Sequence, residues 1–522
     1  MDSRSFFVIF MVLMILVGII YIVSVYLPFW RCPQRIRKNI NQSNANFSEI
    51  LKVIKHYQTT GEGIKLQALY FLLENMAQHI YVDVTIQNEQ GTQLDYDASK
   101  YASMAEAQDA LNAIEQKHGE ISWHVKKAWH DQETMTAALL IENIEESYNA
   151  WQSLPWSKNY DTNTFLNYIL PYRGSSEPID SFRPYFRDKF ADISGINDPV
   201  QAAAIINDSL KSIFRFNEKY YLHPTDQSFS EMLKSGEGRC EDMTNLAIYA
   251  LRANGIAVTS DYTPHWADSG NNHAWNAVLT SKGEAIPFMG CESNPGKYQL
   301  RQRIAKVYRK MFAEQATSLG CHLKNSEKAP AWLRGKSYLD VTDAYVHTAN
   351  ISVTVDSIPS PLPRFLYLAV FNSGNWEAIS WSLLEKGKAE FRDMGIDLVY
   401  LPAYFIDEKL HPAGEAFLLN NRGEREELQV ADSVQDMEVR STTRMKISNL
   451  TGENDITNLK PGKEYELYYW HKGWQNVAND TFNQTELHFE HIPENGLYWL
   501  REKDSDKEER IFIYRDQQQI WY

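Results

Sequence analysis

Residues 238–242 read Gly-Arg-Cys-Glu-Asp, and residues 272–276 read Asn-His-Ala-Trp-Asn. Before the cysteine, Ser235-Gly236-Glu237-Gly238 is a loop whose glycines let the backbone approach closely. From Glu241 onward Met243, Leu246, Ala247, Ala250 and Leu251 recur at three- and four-residue spacing, which predicts a helix. Asn254-Gly255 reads as its stop. Residues 256–259, 273–279 and 285–289 read as strands, separated by a polar loop over 264–272 and a turn over 280–284.

This order places a cysteine at the opening of a helix and a histidine at the opening of a strand. The thiolate is the reactive form of cysteine, and unpaired N–H groups with the positive dipole end of a helix favour it. Imidazole is the side chain best suited to take that proton near neutral pH. Cys240 and His273 are therefore the candidate nucleophile and base.

The order Cys-helix-strand-His-Ala-Trp-strand, carried by "GRCEDMTNLAIYALRANGIAV" and "HAWNAVL", resembles the transglutaminase-like superfamily of papain-like thiol enzymes. The core of the resemblance covers residues 229–294. The flanking segments "ALYFLLENM" and "AWQSLPWSKNYDTNTFLNYILPYR" look similar to transglutaminase-like domain proteins of gut Bacteroidetes. The resemblance implies a Cys-His-Asp triad used for acyl transfer, amide hydrolysis or peptide cleavage.

At the third position this sequence departs from that family. An aspartate commonly follows an aromatic-Pro-hydrophobic run on the strand after the histidine strand, whereas here the run reads Ile286-Pro287-Phe288-Met289-Gly290-Cys291-Glu292. A hairpin turning near Lys282 would put Cys291 or Glu292 opposite His273, which makes Glu292 the candidate orienting acid. Asp268, in a loop, and Asn276, on the opposite strand face from His273, are weaker candidates. Trp275 reads as a core aromatic, and Trp266 could line a cleft. Arg239, Glu241 and Asp242 read as solvated helix-start residues, the acids favourable to the dipole. His265 is the less favoured second histidine.

The chain has 522 residues, 43% hydrophobic and 23% charged, enough for several cores. A net charge of −15 argues against nucleic acid as a partner, because phosphate binding needs a basic surface. No zinc-type Cys/His spacing, P-loop or dinucleotide-binding glycine fingerprint is present, and no cofactor is expected. Residues 6–27, "FFVIFMVLMILVGIIYIVSVYL", read as a single membrane anchor. Arg31, Arg35, Arg37 and Lys38 after it would place the body in the cytoplasm by the positive-inside rule. The family resemblance favours export, and the extracytoplasmic side (periplasm or cell surface) is the reading adopted. Of the four cysteines, Cys32, Cys240, Cys291 and Cys321, the last two could pair or stay reduced.

Residues 46–156 read as mainly helical, with apolar stripes in "FSEILKVIKHYQ", "GIKLQALYFLLENMAQHI", "SMAEAQDALNAIEQKHG" and "TMTAALLIENIEESYNAWQ". Beyond residue 337, short β-branched and aromatic runs separated by Gly, Pro, Asn and Asp fit β-sandwich patterning. A second such unit begins near Val430, and its "DMEVRSTTRMKISNL" is one of these runs. Trp376, Trp381, Tyr468, Tyr469, Trp470 and Trp474 could stack on sugar faces, but sandwich-core packing is the stronger reading.

The expected fold class is thus α+β multidomain. It comprises a membrane helix with a basic flank (1–38), a helical region (39–156), a transglutaminase-like (papain-like) α+β core (157–336) and two β-sandwich-like modules (337–428 and 429–522). The expected function is that of a transglutaminase-like cysteine enzyme, a peptidase or amidase acting on a protein, peptide or other amide substrate. The alternative is a catalytically silent surface protein that binds glycans or proteins.

Overall fold

The computed structural model describes residues 3–41, 46–193, 195–324, 326–355, 359–360, 362–443, 457–483, 486–505 and 509–522. The chain forms two compact units. The first comprises Met1–Ser260, Ala274–Gln299 and Lys310–Glu314, the second Asp261–His273, Leu300–Arg309 and Gln315–Tyr522.

The first unit opens with helices α1 (Ser3–Trp30), α2 (Gln34–Asn41), α3 (Phe47–Thr60) and α4 (Gly63–Asn75). On α3 the buried residues Ile50, Val53, Ile54 and Tyr57 fall at the spacing of one helix face, as do Ala68, Leu69, Leu72 and Leu73 on α4. These faces join one core that also takes in Leu140, Ile144, Trp151 and Phe165.

The N-terminal segment corrects the membrane-helix part of the expected fold class. Among the described residues no helix is long and apolar enough to cross a membrane. The end of α1 is built into the first unit's core through Phe29, with Tyr26 stacked on Phe47 at 5.9 Å. The expected basic flank is the amphipathic helix α2, which buries Ile36 and Ile40.

The mainly helical reading of residues 46–156 also missed a three-stranded sheet, β1 (Ile80–Asn88), β2 (Gln93–Leu94) and β3 (Ile121–His130). β1 and β3 pair antiparallel from Ile80↔His130 to Asn88↔Ile121, on either side of α5 (Met104–His118). The helical pattern of "GIKLQALYFLLENMAQHI" ends at Asn75. Met76–Gln78 is a single 3-10 turn, and β-branched residues from Ile80 favour the extended backbone. Helix α6 (Ala137–Ser153) then packs back onto α3 and α4.

Further on, α7 (Arg183–Lys189), α8 (Pro199–Leu210), strand β4 (Arg215–Phe216) and α9 (Phe229–Ser235) lead to β5 (Glu237–Gly238) and α10 (Cys240–Ala253). α10 is buried at nearly every position and forms the centre of the unit. Its expected stop holds: Asn254 caps it, and Gly255 follows at φ +65°. A Cβ on Gly255 would stand 2.4 Å from Ser157 Oγ, so both conformation and space require glycine there. Strands β7 (His273–Leu279) and β8 (Ala285–Phe288) follow within one residue of the expected bounds, whereas β6 (Val258–Thr263) starts two residues later and runs four residues further than expected.

The second unit contains strand β9 (Tyr308–Lys310) up to Arg309, then β10 (Tyr338–Asp340) and the C-terminal strands. β11 (Thr348–Thr354) pairs with β14 (Lys388–Gly395). β12 (Phe365–Asn372), β13 (Asn375–Leu383), β15 (Leu398–Ile406), β16 (Lys409–Pro412), β17 (Phe417–Leu419) and β18 (Arg425–Glu427) make a six-stranded sheet. β19 (Val434–Val439) pairs with β22 (Leu487–Pro493). β20 (Glu464–Trp470), β21 (Trp474–Thr481), β23 (Tyr498–Glu502), β24 (Ile511–Arg515) and β25 (Gln518–Trp521) form a five-stranded sheet. The run "DMEVRSTTRMKISNL" supplies part of β19, while residues 444–450 of it lie outside the described residues.

Strand alternation sorts these four sheets into layers. Leu366, Leu368 and Val370 of β12 face the β11–β14 side, while Ala369 and Phe371 face the five-stranded sheet through Trp470, Trp499 and Ile511. On β23, Trp499 joins that middle core, while Tyr498 and Leu500 face Met437 and Phe489 of the β19–β22 pair. Trp376, Tyr468, Trp470 and Trp474 belong to the middle core, and the Trp376 and Trp470 rings meet edge-on at 5.3 Å. Tyr469 packs on the outer core, and Trp381 meets Phe365 at 5.7 Å. The aromatic runs thus act chiefly in packing.

Candidate active site

The approach to Cys240 is built by short-range rules. Ser228 and Glu231 close a capping box on α9: Glu231 N–H donates to Ser228 Oγ at 3.2 Å, and Ser228 N–H donates to Glu231 Oε2 at 2.7 Å. Gly236 ends α9 at φ +65°. β5 then pairs in parallel with β4, Phe216 opposite Gly238, which delivers Cys240 to the first position of α10.

Asp242 locks that start. Its carboxylate accepts from Arg239 N–H at 3.0 Å, from Gln227 N–H at 2.9 Å and from Gln227 Nε2 at 3.1 Å. Burial, with the Asp226 charge nearby, pushes its carboxyl up to about 6, despite the Gln227 hydrogen bonds and Arg239. A Cβ on Gly238 would stand 2.6 Å from Asp242 Oδ2, so glycine is what lets the loop close over the carboxylate. The reading of Asp242 as a solvated helix-start residue is overturned, since it is 1% exposed. Asp242→Ala would leave the Gln227 and Arg239 N–H groups without their acceptor, while Gln227 Nε2 keeps the Glu237 carbonyl at 3.0 Å, and a loss of about 2–4 kcal/mol is expected at about 1–3 per unsatisfied group. Urea unfolding of the full chain checks it.

Arg239 is likewise engaged. Its Nη2 donates to Asp226 Oδ1 at 2.6 Å and its Nη1 to the His223 carbonyl at 3.3 Å. Burial opposes its charge, but Asp226 outweighs burial and keeps the guanidinium firmly protonated. Asp226 in turn is held below the usual carboxylate range: burial works against this, and Arg239, Lys310 and the Ser175 hydroxyl overcome it.

The Cys240 thiol, in a residue 7% exposed, donates to Glu241 Oε2 at 2.9 Å. Burial first, then the charge and hydrogen bond of Glu241, push it up to about 12, against the Tyr221 hydroxyl and Arg239, which favour the thiolate. Tyr221 is hydrogen-bonded to the thiol from the 3-10 turn Glu218–Leu222. Tyr298 feels both Glu292 and Cys240 after burial, and its hydroxyl is raised. Sequence reasoning missed Tyr221, Tyr298 and the contact of Glu241. The acidic Glu241-Asp242 pair after the cysteine is a visible signal, although acids at a helix start ordinarily face solvent.

His273 is the first residue of β7 and half-buried, and it is the last residue of its segment in the second unit, while Ala274–Gln299 belongs to the first. Its ring stacks on Trp266, with centroids 5.9 Å apart. The β7–β8 hairpin pairs Leu279↔Ala285 to Asn276↔Phe288 and ends there. The chain then turns between Met289 and Ser293, with Ser293 N–H donating to the Met289 carbonyl at 2.9 Å. Asn207 fastens this turn, accepting from Cys291 N–H at 2.7 Å and donating to the Met289 and Ser293 carbonyls at 3.3 Å. Cys291 adopts φ +60°, and Gly290 packs where a Cβ would stand 2.5 Å from the Met243 carbonyl. Glu292 is therefore exposed on a turn rather than on a continuing strand.

Asn276 is wholly buried and structural, donating to the Thr244 carbonyl at 3.1 Å and accepting from Gly290 N–H at 3.2 Å. Asp268 lies in the loop between β6 and β7. His265 faces a cavity of about 480 Å³ in the second unit, with Trp332 and Glu377. Burial pulls its imidazole down to about 4. Trp275 is fully buried, as a core aromatic should be. All four cysteines are free thiols. Among the described residues no group of three or more His, Cys, Asp or Glu side chains is arranged to hold a metal ion.

Comparison with known proteins bears on the segment that holds Cys240 and His273. No curated protein matches the sequence. Among solved structures, one titled as a "Putative Cysteine Protease" from Cytophaga hutchinsonii is 17% identical, with a TM-score of 0.18. That match covers 22% of this chain and only 37% of the other. Red sea bream transglutaminase is 9% identical with a TM-score of 0.22, covering 82% of this chain and 75% of that one. At these TM-scores neither superposition carries an argument about the fold. The family comparison does: residues 188–288 match the transglutaminase-like superfamily, and α8, α9, the capped start of α10 and the β7–β8 hairpin all lie within them. The chain therefore carries a transglutaminase-like domain at residues 188–288.

Proposed function

We propose that this domain is a cysteine amidase or peptidase. Cys240 attacks the carbonyl carbon of an amide while His273 takes the thiol proton, and a C–S bond forms. The C–N bond then breaks as the imidazolium returns its proton to the leaving amine. Water, deprotonated by the same imidazole, hydrolyses the thioester and frees the thiol. Unpaired N–H groups at the start of α10 stabilise the oxyanion. Glu292, the carboxylate that shares Tyr298 with the thiol, is assigned to orient the ring. Water is the preferred acceptor, because no site for a lysine co-substrate is legible.

The observation that carries this reading is the position of Cys240, at the first turn of a buried helix inside the matched segment. A second reading, a catalytically silent binding protein, draws support from the carboxylate hydrogen-bonded to the thiol.

Site-resolved alkylation separates the two. The full chain is treated with iodoacetamide between pH 5 and 9 and each cysteine is followed by mass spectrometry, the exposed Cys321 serving as internal reference. His273→Ala is expected to slow Cys240 alkylation at pH 7 by about tenfold or more, within the usual reach of a general base. Equal rates in wild type and His273→Ala would remove the enzyme reading.

A further inference from the structure

The Glu241 oxygen that accepts the Cys240 thiol at 2.9 Å lies 3.8 Å from Arg239 Nε. That Nε is buried and has no hydrogen-bond partner, although the other two guanidinium nitrogens are used. A buried donor left unmatched is unfavourable, and its nearest charged acceptor is occupied elsewhere. The Arg239 and Glu241 side chains are 20% and 21% exposed, which leaves Glu241 room to move. A displacement of about 1 Å would bring its carboxylate within hydrogen-bonding range of Nε.

We propose that Glu241 is a latch on the nucleophile: seated on the Cys240 thiol it keeps the resting site protonated, and seated on Arg239 Nε it releases the thiol to ionise. The proposal rests on the reading of Cys240 as the nucleophile. In the latched position the carboxylate charge and its hydrogen bond both oppose the thiolate. In the open position that charge is neutralised by Arg239, whose stranded donor gains its acceptor. The released thiolate then meets the Tyr221 hydroxyl and the Arg239 guanidinium, both of which favour it. The remaining titratable groups around it in this unit are Tyr298, and beyond Arg239 the carboxyls of Asp226 and Asp242. Glu241 is thus a positioning residue that acts through Cys240.

The test measures the ionisation of Cys240 itself, from the pH dependence of its iodoacetamide alkylation. Glu241→Gln, with Glu241→Ser as a second variant, is expected to lower the thiol pKa by at least one unit. Each unit raises the thiolate fraction tenfold below the pKa. Intrinsic reactivity falls about threefold per unit, so the net gain at pH 7 is about threefold per unit. An unchanged or raised thiol pKa in both variants overturns the latch. The variants are also made in the His273→Ala background: a shift that persists there upholds the latch even if His273 proves not to be the base. A crystal structure of the Cys240 carbamidomethyl adduct gives the second arm. Glu241 is expected within hydrogen-bonding range of Arg239 Nε, and a carboxylate still out of reach of Nε counts against the open position.

Discussion

Cys240→Ser is expected to lower amide hydrolysis by about 10⁴-fold or more, the scale on which loss of a nucleophile acts in acyl-transfer enzymes. The substitution changes one atom and leaves the backbone start of α10 intact, so stability should barely move. Chemistry is what it removes. A serine hydroxyl ionises far less readily than a thiol, and this position is already buried and set against the Glu241 carboxylate. A site arranged around a thiol offers serine no compensating base beyond His273. The measurement is release of new amino groups from a mixed peptide pool by the full chain, with thermal unfolding as the control for structure. Equal turnover by wild type and Cys240→Ser would end the thiol mechanism, whereas a large loss with an unchanged melting temperature would support it.

Arg183→Met is expected to cost about 3–5 kcal/mol of stability, comparable to breaking a buried charged network. Arg183 is 1% exposed, yet among the described residues no side-chain carboxylate is hydrogen-bonded to it. Its guanidinium serves the ends of helices instead. Nε donates to Asn143 Oδ1 on α6 at 2.7 Å, and Nη1 to the Arg252 carbonyl at the end of α10 at 3.0 Å. Nη2 reaches the Ile169, Leu170 and Pro171 carbonyls at 2.8, 3.0 and 3.3 Å, where the π-helix Phe165–Ile169 finishes. The last carbonyls of a helix have no partners within it, and here one side chain reaches those of two helical elements, sharing all but Ile169 with other donors. Methionine would fill much of the volume and take the guanidinium donor from the Ile169 carbonyl and Asn143 Oδ1, while the Leu170, Pro171 and Arg252 carbonyls keep Asn143 Nδ2, Arg252 Nη1 and Gly255 N–H. Guanidinium unfolding of the full chain checks the prediction. A loss below about 1 kcal/mol would mean that water or relaxation replaces the guanidinium. Because Arg252 sits at the opposite end of α10 from Cys240, the same variant should slow Cys240 chemistry only in step with unfolding.

What the sequence by itself determined is the local grammar of the site. Met243, Leu246, Ala247, Ala250 and Leu251 announce α10, Asn254-Gly255 ends it, and His273–Leu279 emerges as a strand with the expected bounds. These features depend on residues a few positions apart, so periodicity and stop signals are enough to read them. The strand alternation that distributes β12 and β23 between neighbouring cores is legible for the same reason, although which sheet each face meets is not.

What only the tertiary structure decided depends on partners distant in the chain. Asp242 is buried because Gln227 comes back to it, and Glu241 meets the thiol because Arg239 is drawn aside to Asp226. The hairpin expected to carry Glu292 stops at Phe288 because Asn207, 84 residues earlier, captures the Cys291 N–H. The end of α1 is tied into a core by Phe47, a contact its own apolar run could not disclose. A local pattern states which face of an element is apolar and which residue opens or ends it. It does not state which buried donor will find which acceptor, and here that pairing sets the state of the thiol.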